Sequence, residues 1–342
     1  GNGAVQAVTI IAILLGTFAY SILFEYLYKQ AGANTEDAIL LVIAPVGWML
    51  VANSLLQLWF AYRVPELEQT DSSMQLRAVD FVRVGPLVDS VRPAFQHAMI
   101  RNAIGGLVMF WSISQVMLAT FPAFAKDALG QTNVVVIQGT LAASGIGIML
   151  GSLLAGRISR RHIEASLVPL GALGITLGLY FIPRIESTWG HVLNFIFIGT
   201  MGGFFIVPLN ALMQFHAQEQ EMGKVLAGNN LVQNIGMLSF LLLTVLLSYQ
   251  GASAEFILGL LVLVALAGSL YTVWHIPQCL VRPWLLLKLG GRSHVMVEGM
   301  RNIPERGPVV LHGQASIPNS WAHLQVASPR PVRFFLSSAE AC

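Results

Sequence analysis

Charge is what this sequence has least of. Asp, Glu, Lys and Arg make up 11% of its 342 residues, against roughly a quarter in soluble domains. Mean hydropathy is +0.67, which argues against a water-soluble globular protein. Only two cysteines are present, Cys279 and Cys342, so no disulfide framework is available. A net charge of +2 is too small for a nucleic-acid footprint. There is no P-loop, which argues against an ATP-driven pump, and no GxSxG elbow. The eight histidines lack metal-ligand spacing. No cofactor, metal or catalytic residue is expected.

What is there is apolar length. A bilayer core of about 30 Å takes about 20 apolar residues as a helix. Eight stretches qualify: 4–26, 38–62, 103–122, 133–155, 166–183, 191–213, 225–249 and 254–276. Each is too long and too evenly apolar for a strand. The first has no basic n-region and no cleavage signature, so it is not a signal peptide. The chain opens on Gly1-Asn2-Gly3 without an initiator Met, and the expectation is that an N-terminal part is missing.

The stretches group as two plus six. Residues 1–62 hold two helices, 63–101 form a polar linker with Pro65, Pro86 and Pro93, and 102–277 form a six-helix bundle. A joint this long separates membrane bundles more naturally than it connects neighbours within one. Residues 278–342 change character, with β-like runs at 293–298 and 308–311 and turn signals between them. Lys and Arg set the orientation. One set of loops carries twelve, from Arg63 to Arg292; the opposite set carries Lys29, Lys126 and Arg184. The basic set is expected in the cytoplasm, with both ends of the chain on that side of the inner membrane.

Polar groups inside spans are the first functional suspects, because hydrocarbon cannot hydrogen-bond them. Here they are mostly amides. Asn210 and Gln214 lie four apart on 191–213, where Gly202, Gly203 and Pro208 permit close approach or bending. Asn230, Gln233 and Asn234 follow at i, i+3 and i+4 on 225–249, beside Asn229; Gln115 lies on 103–122. Two neighbouring helices with amide faces suit a substrate wall, with Phe204 and Phe205 offering apolar faces beside it. The competing reading is interhelical glue, worth about 0.6 kcal/mol per contact.

A second motif, Gly151-Ser-Leu-Leu-Ala-Gly156-Arg157-Ile-Ser-Arg160-Arg161, resembles the Gly- and Arg-rich cytoplasmic loop of major facilitator carriers. The stretch 198–214, with Ala227-Gly228-Asn229-Asn230 and Val232-Gln233-Asn234, resembles the bacterial lysophospholipid transporters of that superfamily. Residues 8–16 are similar to that family's fifth span. The resemblance implies an all-α membrane protein, a partial major facilitator fold covering spans five to twelve. It implies a flippase-type facilitator that moves lysophosphatidylethanolamine-like lipids inward for reacylation, with lysophospholipid and membrane lipids as partners. The family's seventh span can carry an arginine near the cavity; 103–122 has no charged residue, and Leu118 falls near that place. The alternative is a facilitator for a small solute or drug.

Residues 297–311 and 327–335 resemble the entry of a glycerophospholipid acyltransferase domain, here a short incomplete α/β segment. The resemblance implies a fusion that, with further domains, would engage acyl-carrier protein. Acyl transfer needs a His-x4-Asp pair in which His is the base. Those positions hold Ala315 and Ser320, so this chain is expected to carry no acyl transfer.

Overall fold

The computed structural model describes residues 12, 16, 19–20, 22–23, 26–27, 36–63, 92, 95, 97–159, 163–218 and 221–275. Seven helices account for nearly all of them: α1 Glu36–Tyr62, α2 Ala98–Leu129, α3 Val134–Ile158, α4 Leu167–Phe181, α5 Thr188–His216, α6 Met222–Tyr249 and α7 Ala254–His275. All seven, α4 together with the 3-10 turn Ile182–Arg184, are long and apolar enough to cross a membrane. They match seven of the eight expected spans, and no strand occurs among the described residues. Most of 4–26 lies outside the described residues, as do Arg160, Arg161 and the acyltransferase-like segment.

Local chemistry sets the helix ends. α2 stops at Gly130, whose φ of 61° is the left-handed conformation that glycine adopts without cost. Asn133 then caps α3, its side chain accepting from the Val135 and Val136 N–H groups at 2.9 and 3.3 Å. Ser187 caps α5 by accepting from the Gly190 N–H. Arg184 lies with its guanidinium 3.6 Å from the centre of the Tyr180 ring, a cation–π contact. α2 begins at Ala98, inside the stretch read as linker, and runs past both ends of 103–122. Arg101 and Lys126 mark those extra turns. Long basic side chains there can reach the membrane surface while the backbone continues as helix.

α5 is the centre of the bundle. It packs against α3, α4 and α2; α7 packs against α4 and α2, and α6 against α2. Lipid is as apolar as leucine, so helices in it associate through close packing rather than hydrophobic exclusion. The α3–α5 crossing shows this. Gly147 and Gly151 of α3 face Ile196 and Thr200 of α5, while Gly199 and Gly203 of α5 face Ser144, Gly151 and Ser152 of α3. A Cβ at Gly151 would fall on the Thr200 carbonyl oxygen, and one at Gly199 on the Ser144 carbonyl oxygen. Backbone touches backbone there.

Aromatic rings fill the remaining core. Phe121 meets Phe195 edge-on at 4.8 Å, and Phe110 lies 6.2 Å from Phe205. Several hydroxyls bond within their own helix, Thr140 to the Val136 carbonyl, Thr200 to Ile196 and Thr244 to Phe240, whereas those of Ser112, Thr120 and Ser152 are buried without a partner. The bond within the helix satisfies a polar group where no water is available. Thr176 of α4 and Ser269 of α7, both buried, join their hydroxyls at 2.8 Å across the interface.

Candidate functional site

The helix α5 carries two distinct faces. Phe205, Ile206, Leu209 and Met213 are buried. Thr200, Phe204, Val207, Ala211 and Gln214 follow at i, i+4, i+7, i+11 and i+14, and all are half-buried. That spacing is one continuous stripe, with Asn210 on its flank. The Asn210 Nδ2 donates to the Ile206 carbonyl at 3.0 Å. Its second amide hydrogen and its Oδ1 remain for another partner. The stripe is amphiphilic, apolar from Phe204 to Ala211 and polar at Asn210 and Gln214.

Phe204 and Phe205 therefore part company. Phe204 belongs to the half-buried stripe, whereas Phe205 is 6% exposed and packs on Phe110, Gly106 and Gly171. Phe205 is a core residue with no room for an acyl chain. A helix apolar all round gives the sequence no signal for which of two adjacent rings turns inward.

The amides of α6 also divide. Asn229 is buried and accepts at Oδ1 from Gln233 Nε2 at 2.8 Å. Gly236, on the same face, sits against Val108 and Ser112 of α2. Asn230 and Asn234 are exposed, and Asn234 Nδ2 donates back to the Asn230 carbonyl at 2.9 Å. The expected single face of Asn230, Gln233 and Asn234 is thus two faces. Moreover, α6 packs along α2, and α5 is not among its main neighbours. The amide groups of α5 and α6, though near in sequence, are not brought together as one wall.

Gln115 is half-buried on α2. With Trp111 and Leu118 it forms a stripe at i, i+4 and i+7. The stripe runs between the turns that meet α5, at Gly106 and Phe110, and those that meet α6, at Val108 and Ser112.

The glycine motifs serve packing. Gly151 and Gly203 lie at the α3–α5 crossing, and Gly202 is pressed by the Phe110 ring. Gly156 has open space around it, and Arg157, in the last turn of α3, suits the negative end of a helix. Pro208 is buried within α5, which continues as helix through it to His216.

The histidines carry no recognisable spacing in the sequence. His191, in the first turn of α5, is 1% exposed. It lies 5.5 Å from the Phe121 ring and 6.1 Å from Phe124, and neither ring nitrogen has a partner at full hydrogen-bond distance and angle, the Ile185 backbone being the polar group beside it. Beside it, between Phe121, Thr140 and Thr188, is a void of about 10 Å³, enough for about one water molecule. An unsatisfied buried imidazole costs stability that an apolar side chain of similar size avoids. His191→Leu should leave the thermal midpoint of the purified protein unchanged or raise it, by up to about 1 kcal/mol of stability. A fall in the midpoint would show that the imidazole has a partner.

At the opposite end of the bundle, His97 and His216 bring their rings to 5.2 Å. They line a second cavity with Glu221, Gln218, Ile100 and Val225. The two histidines are far apart in the chain, so no local spacing could announce the pair.

Residues 1–241 match the family model of the Major Facilitator Superfamily. Over 243 residues the chain is 28% identical to the lysophospholipid transporter LplT of Escherichia coli (strain K12 / DH10B) and to that of Shigella boydii serotype 18. It is 27% identical to LplT of Klebsiella pneumoniae (strain 342). The match covers 71% of this chain for the first two and 70% for the third; in each case the chain spans 56% of the relative's length. No solved structure matches. With its long apolar helices this is a multi-pass membrane protein, and the chain belongs to the Major Facilitator Superfamily.

Proposed function

We propose that this chain forms part of a carrier for lysophospholipids of the lysophosphatidylethanolamine kind, working in the bacterial inner membrane. The observation that carries the reading is the similarity to lysophospholipid transporters over 243 residues, a match whose length takes in the amphiphilic stripe of α5. A lysolipid has one charged head and one long chain. The stripe offers amides to the head at Asn210 and Gln214, and an apolar track at Phe204, Val207 and Ala211 to the chain. Gln115 on α2 adds a neutral hydrogen-bonding group. Amides suit this task because they bind phosphate or hydroxyl without bringing a charge into hydrocarbon. The end that carries Arg101, Arg157 and Lys224 faces the cytoplasm. The tail has Ala315 and Ser320 in place of a base and its orienting acid, so no acyl transfer is proposed for this chain.

The test is uptake of radiolabelled lysophosphatidylethanolamine by spheroplasts lacking their own carrier. The chain is expressed alone and joined to four further N-terminal spans. Uptake above the empty-vector level, inhibited by unlabelled lysolipid, is the expected result in at least one form. Correct insertion of both forms without lysolipid uptake, together with uptake of a small solute, would replace this reading with a small-solute facilitator.

A further inference from the structure

The second cavity has a volume of about 170 Å³ and lies where α2 begins, α5 ends and α6 begins. Its polar lining is His97, His216, Gln218 and Glu221; its floor is Ile100, Ala217 and Val225, all buried. We propose that this cavity binds an aminoalkyl phosphodiester, the head group of the transported lipid, at the basic end of the carrier. The proposal rests on the carrier reading above and adds to it a site and the residues that recognise the two charges.

Two side chains there, His97 and Glu221, have no capping duty, and His216 keeps one ring nitrogen available. His97 precedes α2 and Glu221 precedes α6, and neither caps its helix with its side chain. The Nδ1 of His216 lies 2.9 Å from the Leu212 carbonyl. That contact assigns the ring proton to Nδ1 and leaves Nε2 as the working atom. Two imidazoles 5.2 Å apart can hold one phosphodiester between them, each donating to a different oxygen when protonated. Glu221 supplies the opposite charge for the ammonium group. The dry floor strengthens both contacts by lowering the local dielectric.

Size and position agree with a head group. Pockets that enclose a whole drug-sized ligand run from roughly 300 Å³ upward. This one holds the head and leaves the acyl chain outside. The cavity adjoins the last turn of α5, the turn that also carries Gln214. Arg101 and Lys224 belong to the same end of the bundle and add positive potential that draws in phosphate.

Isothermal titration of the full chain in detergent tests this with three soluble probes: glycerophosphoethanolamine, glycerophosphoglycerol and inorganic phosphate. The expected order places glycerophosphoethanolamine at least tenfold tighter than the other two. His97→Gln with His216→Gln should weaken both diesters tenfold or more. Glu221→Gln should weaken glycerophosphoethanolamine about tenfold and leave glycerophosphoglycerol unchanged or tighter. Equal affinity of wild type and all variants for glycerophosphoethanolamine would overturn the site, as would phosphate binding as tightly as the diesters. If the double variant elutes as aggregate, Glu221→Gln decides alone through the ratio of the two diesters. Lysolipid uptake is measured in parallel. Uptake without binding of any head group overturns this site and spares the carrier; binding without uptake does the reverse.

Discussion

Valine at Gly151 or Gly199 should prevent α3 and α5 from closing. At each position the first added carbon falls on a carbonyl oxygen of the facing helix. A flexible side chain could turn aside, but the backbone of a packed helix cannot. Either the two helices separate or the bundle rearranges. Overpacking a well-fitted core costs roughly 1–3 kcal/mol, and backbone contact belongs at the upper end of that range. Loss of close packing also removes what holds helices together in lipid. The expected result is a fall in detergent-solubilised monomer on size exclusion and a lowered thermal midpoint. Gly156 belongs to the same sequence motif but has nothing within 4 Å of an added Cβ. Gly156→Ala should therefore behave as wild type, within about 0.5 kcal/mol, or gain slightly in helix propensity. Equal damage from Gly156→Ala and Gly151→Val would show that the motif acts through its loop rather than through the crossing.

The contrast marks how far the sequence is legible. Apolar length specifies α1 to α7, because backbone groups in hydrocarbon must bond within their own segment and a helix achieves this alone. Stop signals such as Gly130 and Asn133 are equally local. The ends of α2 depart from 103–122 because a count of bilayer thickness ignores turns that continue into the interface, where Arg101 and Lys126 stand. Facing is less legible. α5 is apolar around its whole circumference, so period 3.6 identifies a helix without identifying its inner side. Only packing separates Phe204 from Phe205, and Asn229–Gln233 from Asn230–Asn234. The glycines illustrate the same limit. Gly202 and Gly203 are compatible with hinge or contact, and the close approach of α3 and the Phe110 ring decides for contact. Least legible is any site assembled from distant segments, such as the meeting of His97 with His216.

Leucine at both Asn210 and Gln214 should abolish most lysolipid uptake while the protein inserts and folds normally. Both residues are half-buried on the amphiphilic face of α5, and leucine is close to both in size. Asn210 donates only one of its amide hydrogens, to the Ile206 carbonyl of its own helix. That bond is expendable, because the carbonyl still receives the Asn210 backbone N–H. On the proposed carrier reading, what the double variant removes is the polar partner of a head group crossing hydrocarbon. A hydrogen bond to a charged group contributes roughly 1.5–3 kcal/mol, and about 1.4 kcal/mol is tenfold in rate. One amide lost should slow uptake about tenfold and both about a hundredfold. Asn229→Leu with Gln233→Met makes the comparison decisive. Those amides bond each other through Gln233 Nε2 and Asn229 Oδ1 on the face of α6 that turns to α2, so their joint replacement by apolar groups takes no hydrogen-bonding group from the stripe of α5. Uptake by that variant should stay within about threefold of wild type. If instead the α6 pair carries the loss and the α5 pair is silent, the head group travels along α6, and the stripe from Phe204 to Gln214 is a lipid-facing surface.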